Sequence, residues 1–117
     1  MAAACIAGAT PVVALLLTRG ARLGARTQRG DTALLLATAA GHLSVVNSLL
    51  AAQADKDAQN EFGDTALIIA SRNGDISLVK RLLQAGVTTR IRNRDRETAA
   101  DVAQARAFPN VFALLKD

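Results

Sequence analysis

Gly30-Asp31-Thr32-Ala33-Leu34-Leu35-Leu36-Ala37 returns thirty-three residues later as Gly63-Asp64-Thr65-Ala66-Leu67-Ile68-Ile69-Ala70. The match does not stop at this octet. Residues 29–61 laid over 62–94 agree at thirteen of thirty-three positions, and six of the others exchange one aliphatic side chain for another. Gly8, Gly41 and Gly74 share the register, as do Thr32, Thr65 and Thr98, and Ala37, Ala70 and Ala103. A fixed period in the range of about 20 to 50 residues marks a chain built from stacked units, each of which buries its apolar face on the next. Four units are legible: a truncated one over 1–28, two full ones over 29–61 and 62–94, and a shortened one over 95–117 that closes the stack. Together they form a single domain.

Within each unit the local signals agree. Gly-Asp-Thr reads as a turn that leads into a helix, with the Thr hydroxyl accepting from the free N–H groups of the first turn. Short Ala- and Leu-rich runs follow, 33–40 and 66–73. Gly41 and Gly74 then stand where a left-handed residue ends a helix. A second helix is predicted over about 43–52 and 76–85, on the spacing of Leu43, Val45, Val46, Leu49 and Leu50. Gly20 and Gly86 end second helices, and Gln53 takes that place in the middle unit. In the last unit Thr98-Ala-Ala-Asp101 is a capping box. Asp101, Gln104, Arg106 and Lys116 supply the polar outer surface that a terminal unit needs.

Composition supports helices. Of 117 residues, twenty-five are Ala and sixteen Leu, against three Phe and no Trp or Tyr, which suits close helix packing and not an aromatic, β-branched sandwich. One Cys and one His exclude a disulfide framework and a four-ligand zinc site of the usual kind. Met1 to Leu17 carries no charge, yet it lacks a basic leader, and Gly8, Thr10 and Pro11 break it. It reads as the first unit and not as a signal or a bilayer span. Met1 aligns with Leu34, so the sequence enters that unit inside a helix, which favours a piece of a longer array over a short natural cap.

Gly-Asp-Thr-Ala-Leu-Leu-Leu-Ala at 30–37, with Gly41-His42-Leu43 and Leu49-Leu50 beyond it, resembles the ankyrin repeat, whose pattern is G-x-T-P-L-H-x-A-A-x-x-G-H-x-x-x-V-x-x-L-L-x-x-G-A. The resemblance covers essentially the whole chain, and the T-A-L variant with its Arg-rich, Lys-poor usage resembles bacterial members. It implies an all-α solenoid of antiparallel helix pairs joined by β-hairpin fingers, with a concave side made of first helices and fingers. The family's Pro is Ala33, Ala66 and Ala99 here, and its His is Leu35, Ile68 and Asp101. The usual Thr–His hydrogen bond is therefore absent, and apolar packing replaces it.

By the same resemblance the function is non-catalytic recognition of a protein partner through the concave surface. The implied contact positions are Gln28, Arg29, Asp31, Ala39 and Ala40; Glu61, Phe62, Asp64, Arg72 and Asn73; and Arg94, Asp95 and Glu97. Phe62 stands at a finger tip, either exposed as an interface anchor or folded onto a neighbour. Phe112 aligns with Val46 and Val79 as core, and Phe108 covers the end of the last helix pair.

Other chemistries find little footing. Cys5 as a nucleophile would need a base, and His42, one unit along, already matches the family's Gly-His turn. No phosphate loop, HExxH or GxSxG is present. No cofactor, metal or small-molecule substrate is expected. The net charge is +4 and is unevenly spread: residues 19–31 carry +3, residues 52–64 carry −3 and residues 85–97 carry +2. Adjacent fingers are therefore expected to compensate one another. Arg90, Arg92, Arg94 and Arg96 form the best phosphate-contacting run, but the acidic neighbour and the lack of Tyr and Trp favour an acidic protein over nucleic acid. The uncapped apolar first unit points to self-association. The cytoplasm is favoured as the compartment, with the periplasm as the alternative if a signal peptide once preceded the sequence.

Overall fold

The computed structural model describes residues 26–115. Expectations for Cys5, Gly8, Gly20, the apolar stretch over 1–17 and Lys116 lie outside them. The described chain forms three helix pairs: α1 Ala33–Ala40 with α2 Leu43–Ala51, α3 Ala66–Asn73 with α4 Ile76–Gln84, and α5 Ala99–Ala105 with α6 Pro109–Leu115.

Each first helix starts for the reason written in its sequence. Thr32, Thr65 and Thr98 hold extended backbone, and their hydroxyls accept from Leu35 N at 3.4 Å, Ile68 N at 3.3 Å and Asp101 N at 3.2 Å. In α5 the box closes, because Thr98 N donates back to Asp101 Oδ2 at 3.0 Å. Gly41 and Gly74 end α1 and α3 at φ +77 and +69. The next N–H groups, His42 N and Asp75 N, reach back to Ala37 O and Ala70 O at 3.0 Å, closing a Schellman-type end. Asp75 caps α4 through Leu78 N at 3.2 Å, whereas α2 starts at His42 without a side-chain cap.

Small residues set the spacing of the stack. Ala37, Ala70 and Ala103 are fully buried where successive first helices meet, α1 on α3 and α3 on α5. Leu34, Leu35, Leu67 and Ile68 fill the same layer, and Val45, Val46, Leu49, Leu78, Val79 and Leu82 line the second helices. Side chains of this size contribute about 1.5–3 kcal/mol each when fully buried. Thr38 and Ser71 lie buried in register, each returning its hydroxyl to the backbone one turn earlier, Leu34 O and Leu67 O at 2.7 Å.

Three expectations are corrected. The connecting fingers are turns, with no strand among the described residues. Each closes on itself through two backbone bonds, Asn60 N to Asp64 O at 3.2 Å with Gly63 N to Asn60 O at 2.9 Å, and Asn93 N to Glu97 O with Arg96 N to Asn93 O, both at 3.0 Å. Phe112 is half-buried, because α6 turns its neighbour Val111, 1% exposed, into the deep position. Phe108, expected over the end of the last helix pair, instead lays its ring against the end of α3 in the pair before it, close enough that a Cβ on Gly74 would lie 2.9 Å from it.

Candidate functional site

Three fingers stand side by side along one edge of the stack, and their tips are built by one recurring device. Asn60 Oδ1 accepts from Phe62 N at 3.0 Å and Asp64 N at 3.1 Å, which folds its own turn. Its Nδ2 donates to Asp31 Oδ1 of the preceding finger at 3.0 Å. Asn93 repeats both roles, accepting from Asp95 N and Glu97 N at 3.0 Å and donating to Asp64 Oδ1 at 3.0 Å. In the first finger Thr27 occupies the same register and accepts from Asp31 N at 3.2 Å.

A second ladder runs one residue earlier. Arg26 donates through one nitrogen to Gly30 O at 2.8 Å and to Gln59 O on the next finger at 2.7 Å. Gln59 does likewise to Gly63 O at 2.8 Å and Arg92 O at 3.2 Å, and Arg92 donates to Arg96 O at 2.8 Å. Backbone bonds complete the seam, with Glu61 N on Arg29 O at 2.9 Å and Arg94 N on Phe62 O at 3.0 Å. The fingers are so close that a Cβ on Gly63 would lie 2.8 Å from Arg94 N. In this ladder Arg26, Gln59 and Arg92 turn to carbonyl oxygens and not to carboxylates of the neighbouring finger.

The ladders hold open a cleft of about 370 Å³ on the inner side, lined by Phe62, Asp64, Arg72, Asn93, Asp95, Glu97 and Arg106. Five of the residues named from sequence meet here. Phe62 is 54% exposed at its mouth, which decides between the two orientations its position allowed. Asp64 is corrected from a contact position to a buried strut, 4% exposed. Its carboxylate takes both Arg72 nitrogens, at 2.9 and 3.1 Å, in a forked ion pair, and Asn93 as well. Those bonds hold the Arg72 guanidinium above its usual pKa: the Asp64 hydrogen bond outweighs the burial that opposes it.

The other named residues lie around this cleft. Gln28, Arg29 and Asp31 line a neighbouring one of about 410 Å³ with Thr27 and Leu36. Ala39, Ala40 and Asn73 are exposed at the inner ends of α1 and α3, where Asn73 Nδ2 reaches Ala39 O at 3.5 Å. Glu61 and Arg94 are exposed at the tips. The Arg90–Arg96 run is divided by the Asn93 turn: Arg90 and Arg92 line a different cleft, with Phe112 and Leu115, and Arg96 sits in the turn itself at φ +64.

Asn60, Asn93 and Gln59 were not singled out from sequence, and Arg106 was read there only as part of the polar end of the stack. The Asn pair left a signal, identity at thirty-three residues' spacing, but Gln59 shares its role with two arginines and left none. His42 is half-buried at the start of α2. Among the described residues no group of three His, Cys, Asp or Glu could hold a metal, and no helix is long and apolar enough to cross a membrane.

Comparison with curated proteins gives no match. The family model for ankyrin repeats (three copies) matches residues 1–60 and 36–117, which between them span the sequence. Such repeats are generally protein–protein interaction modules and typically non-catalytic. With its thirty-three-residue period, its Thr-capped and Gly-ended first helices and its row of fingers, the chain belongs to the ankyrin repeat family.

Proposed function

We propose that the chain binds a protein partner through its concave side, with Phe62 as the anchor and the cleft behind it as the receiving surface. The observation that carries this reading is the exposure of Phe62, a large apolar side chain on a finger whose backbone is fixed on both sides. Pre-organised aromatic side chains at the centre of a patch dominate binding energies, because little entropy is lost when they are covered. Asp95 and Glu97 on the next finger, with Arg106 from the end of α5, offer charges of both signs for orientation. Gln28, Arg29, Asp31, Ala39, Ala40, Glu61, Asn73 and Arg94 form the rim, with the alanines leaving room for a partner's side chains. Asp64 and Arg72 hold the cleft's wall.

Affinity capture from the source cell, run in parallel with wild type and Phe62→Ala, tests this. A partner depleted several-fold on the variant column is expected. Identical capture on both columns would rule out the anchor.

A further inference from the structure

Asp31 and Asp64 share one register position, and the Asn of the following finger holds each carboxylate in the same way. Asn60 Nδ2 donates to Asp31 Oδ1, and Asn93 Nδ2 to Asp64 Oδ1, both at 3.0 Å. The likeness ends there. Arg72 clamps both oxygens of Asp64, at 2.9 and 3.1 Å, and that carboxylate is buried. Thirty-three residues earlier the residue in register with Arg72 is Ala39. Asp31 is half-buried, and its Oδ2 accepts from none of the described residues.

The place that the clamp would fill suits a guanidinium. Ala39 is exposed and has nothing beyond its Cβ to occupy it. Arg72, in the later repeat, also feels the charges of Glu97 and Asp95. Their counterparts in the earlier repeat are Asp64, whose carboxylate is already engaged, and Phe62, an exposed ring. An aromatic face attracts a cation, and the planar guanidinium of arginine stacks there as a lysine ammonium does not. The acceptor is also pre-organised. Asp31 N donates to the Thr27 hydroxyl at 3.2 Å, Asp31 O accepts from Thr27 N at 2.9 Å, and Asn60 fixes the side chain. A carboxylate held in this way can take a forked pair without first being ordered.

From this register we infer that an arginine of the protein partner enters over Ala39, forks onto Asp31 and lays its guanidinium against Phe62. Two chains then complete the clamp that Arg72 makes within one. The inference rests on the concave-face reading and names the side chain which that face recognises.

Panning a random dodecapeptide display library on the full chain, and keeping the peptides that Phe62→Ala weakens, supplies the probe. These peptides should share an arginine. Its replacement by lysine in the peptide should cost about tenfold in affinity against wild type and nothing against Asp31→Asn. Ala39→Arg, which supplies the clamp from the chain itself, should weaken the arginine peptides by about tenfold or more. Circular dichroism melts establish that each variant is folded, and either one serves if the other is not. Peptides that depend on Phe62 but lack an arginine, that bind alike in their Arg and Lys forms, or that keep their affinity for Ala39→Arg would overturn the inference and leave the concave-face reading standing. Recovery of no peptide sensitive to Phe62→Ala would contradict that reading and the inference with it.

Discussion

Asn93 donates its side-chain amide to the buried carboxylate of Asp64, 3.0 Å away across the seam between two fingers. The same Asn folds its own finger, so one side chain fixes both the shape of the turn and its distance from the previous finger. Phe62 lies between these two fixed points. The finger that carries Phe62 is therefore tied to the next by side chain and backbone together.

Removing that amide should be costly. Asn93→Ala strips one partner from Asp64 and leaves two turn N–H groups unsatisfied, for an expected loss of about 1–3 kcal/mol in urea melts. Asn93→Asp should cost at least as much, since it sets a second carboxylate against Asp64. Asn60→Ala, at a less buried position, should cost less. Equal and negligible losses at both sites would show that the fingers are held by their backbone alone.

The thirty-three-residue register announced the helices, their caps and the core, because these depend on residue types that recur: Thr before a helix, Gly after it, Ala between neighbours. The fingers were less legible. Asn60 and Asn93 recur, but an Asn in a loop has many ordinary uses. The ladder of Arg26, Gln59 and Arg92 demands only a long side chain with an N–H donor, so different residues fill it and no identity survives. Finger charge, counted along the sequence, suggested cross-finger compensation, whereas these donors turn to carbonyl oxygens that carry no letter of their own.

Overpacking should expose the inter-repeat face. Ala70 is fully buried between α1 and α5, so Ala70→Leu should destabilise by about 1–3 kcal/mol. Arg92→Ala, on an exposed finger, should stay within about 0.5 kcal/mol. Denaturant midpoints at constant slope make the comparison, and a neutral Ala70→Leu would contradict the packing described.

The repeat register also identifies improvable positions. Gln53, Arg96 and Ala107 adopt φ +65, +64 and +59, where their counterparts Gly86, Gly63 and Gly74 do so without a side chain. Left-handed backbone costs a non-glycine residue about 1–2 kcal/mol. Ala107→Gly should therefore raise the melting temperature, offset in part by the freer unfolded chain. Gly63→Ala should lower it, since its Cβ would meet Arg94 N at 2.8 Å.

Acid should loosen the last repeat first. The backbone hydrogen bond from Thr98, aided by the Thr98 hydroxyl and by Arg92, holds the Asp101 carboxyl below its ordinary pKa despite the opposing effect of burial. A depressed carboxyl stabilises the fold above the unfolded value, about 3.9, and that contribution disappears as pH falls through the lower folded value. Hydrogen exchange over 99–105 should accelerate across this window in wild type. Asp101→Asn should show faster exchange at neutral pH and a flatter profile. Identical profiles would show that the box contributes nothing.

The concave-face reading is tested most directly by placing a photoreactive benzophenone side chain at position 62. Irradiation in lysate should yield a discrete heterologous adduct from Phe62→p-benzoylphenylalanine, and none from the same replacement at Ser77, exposed on α4. An adduct from position 77 with none from position 62 would contradict recognition through the fingers.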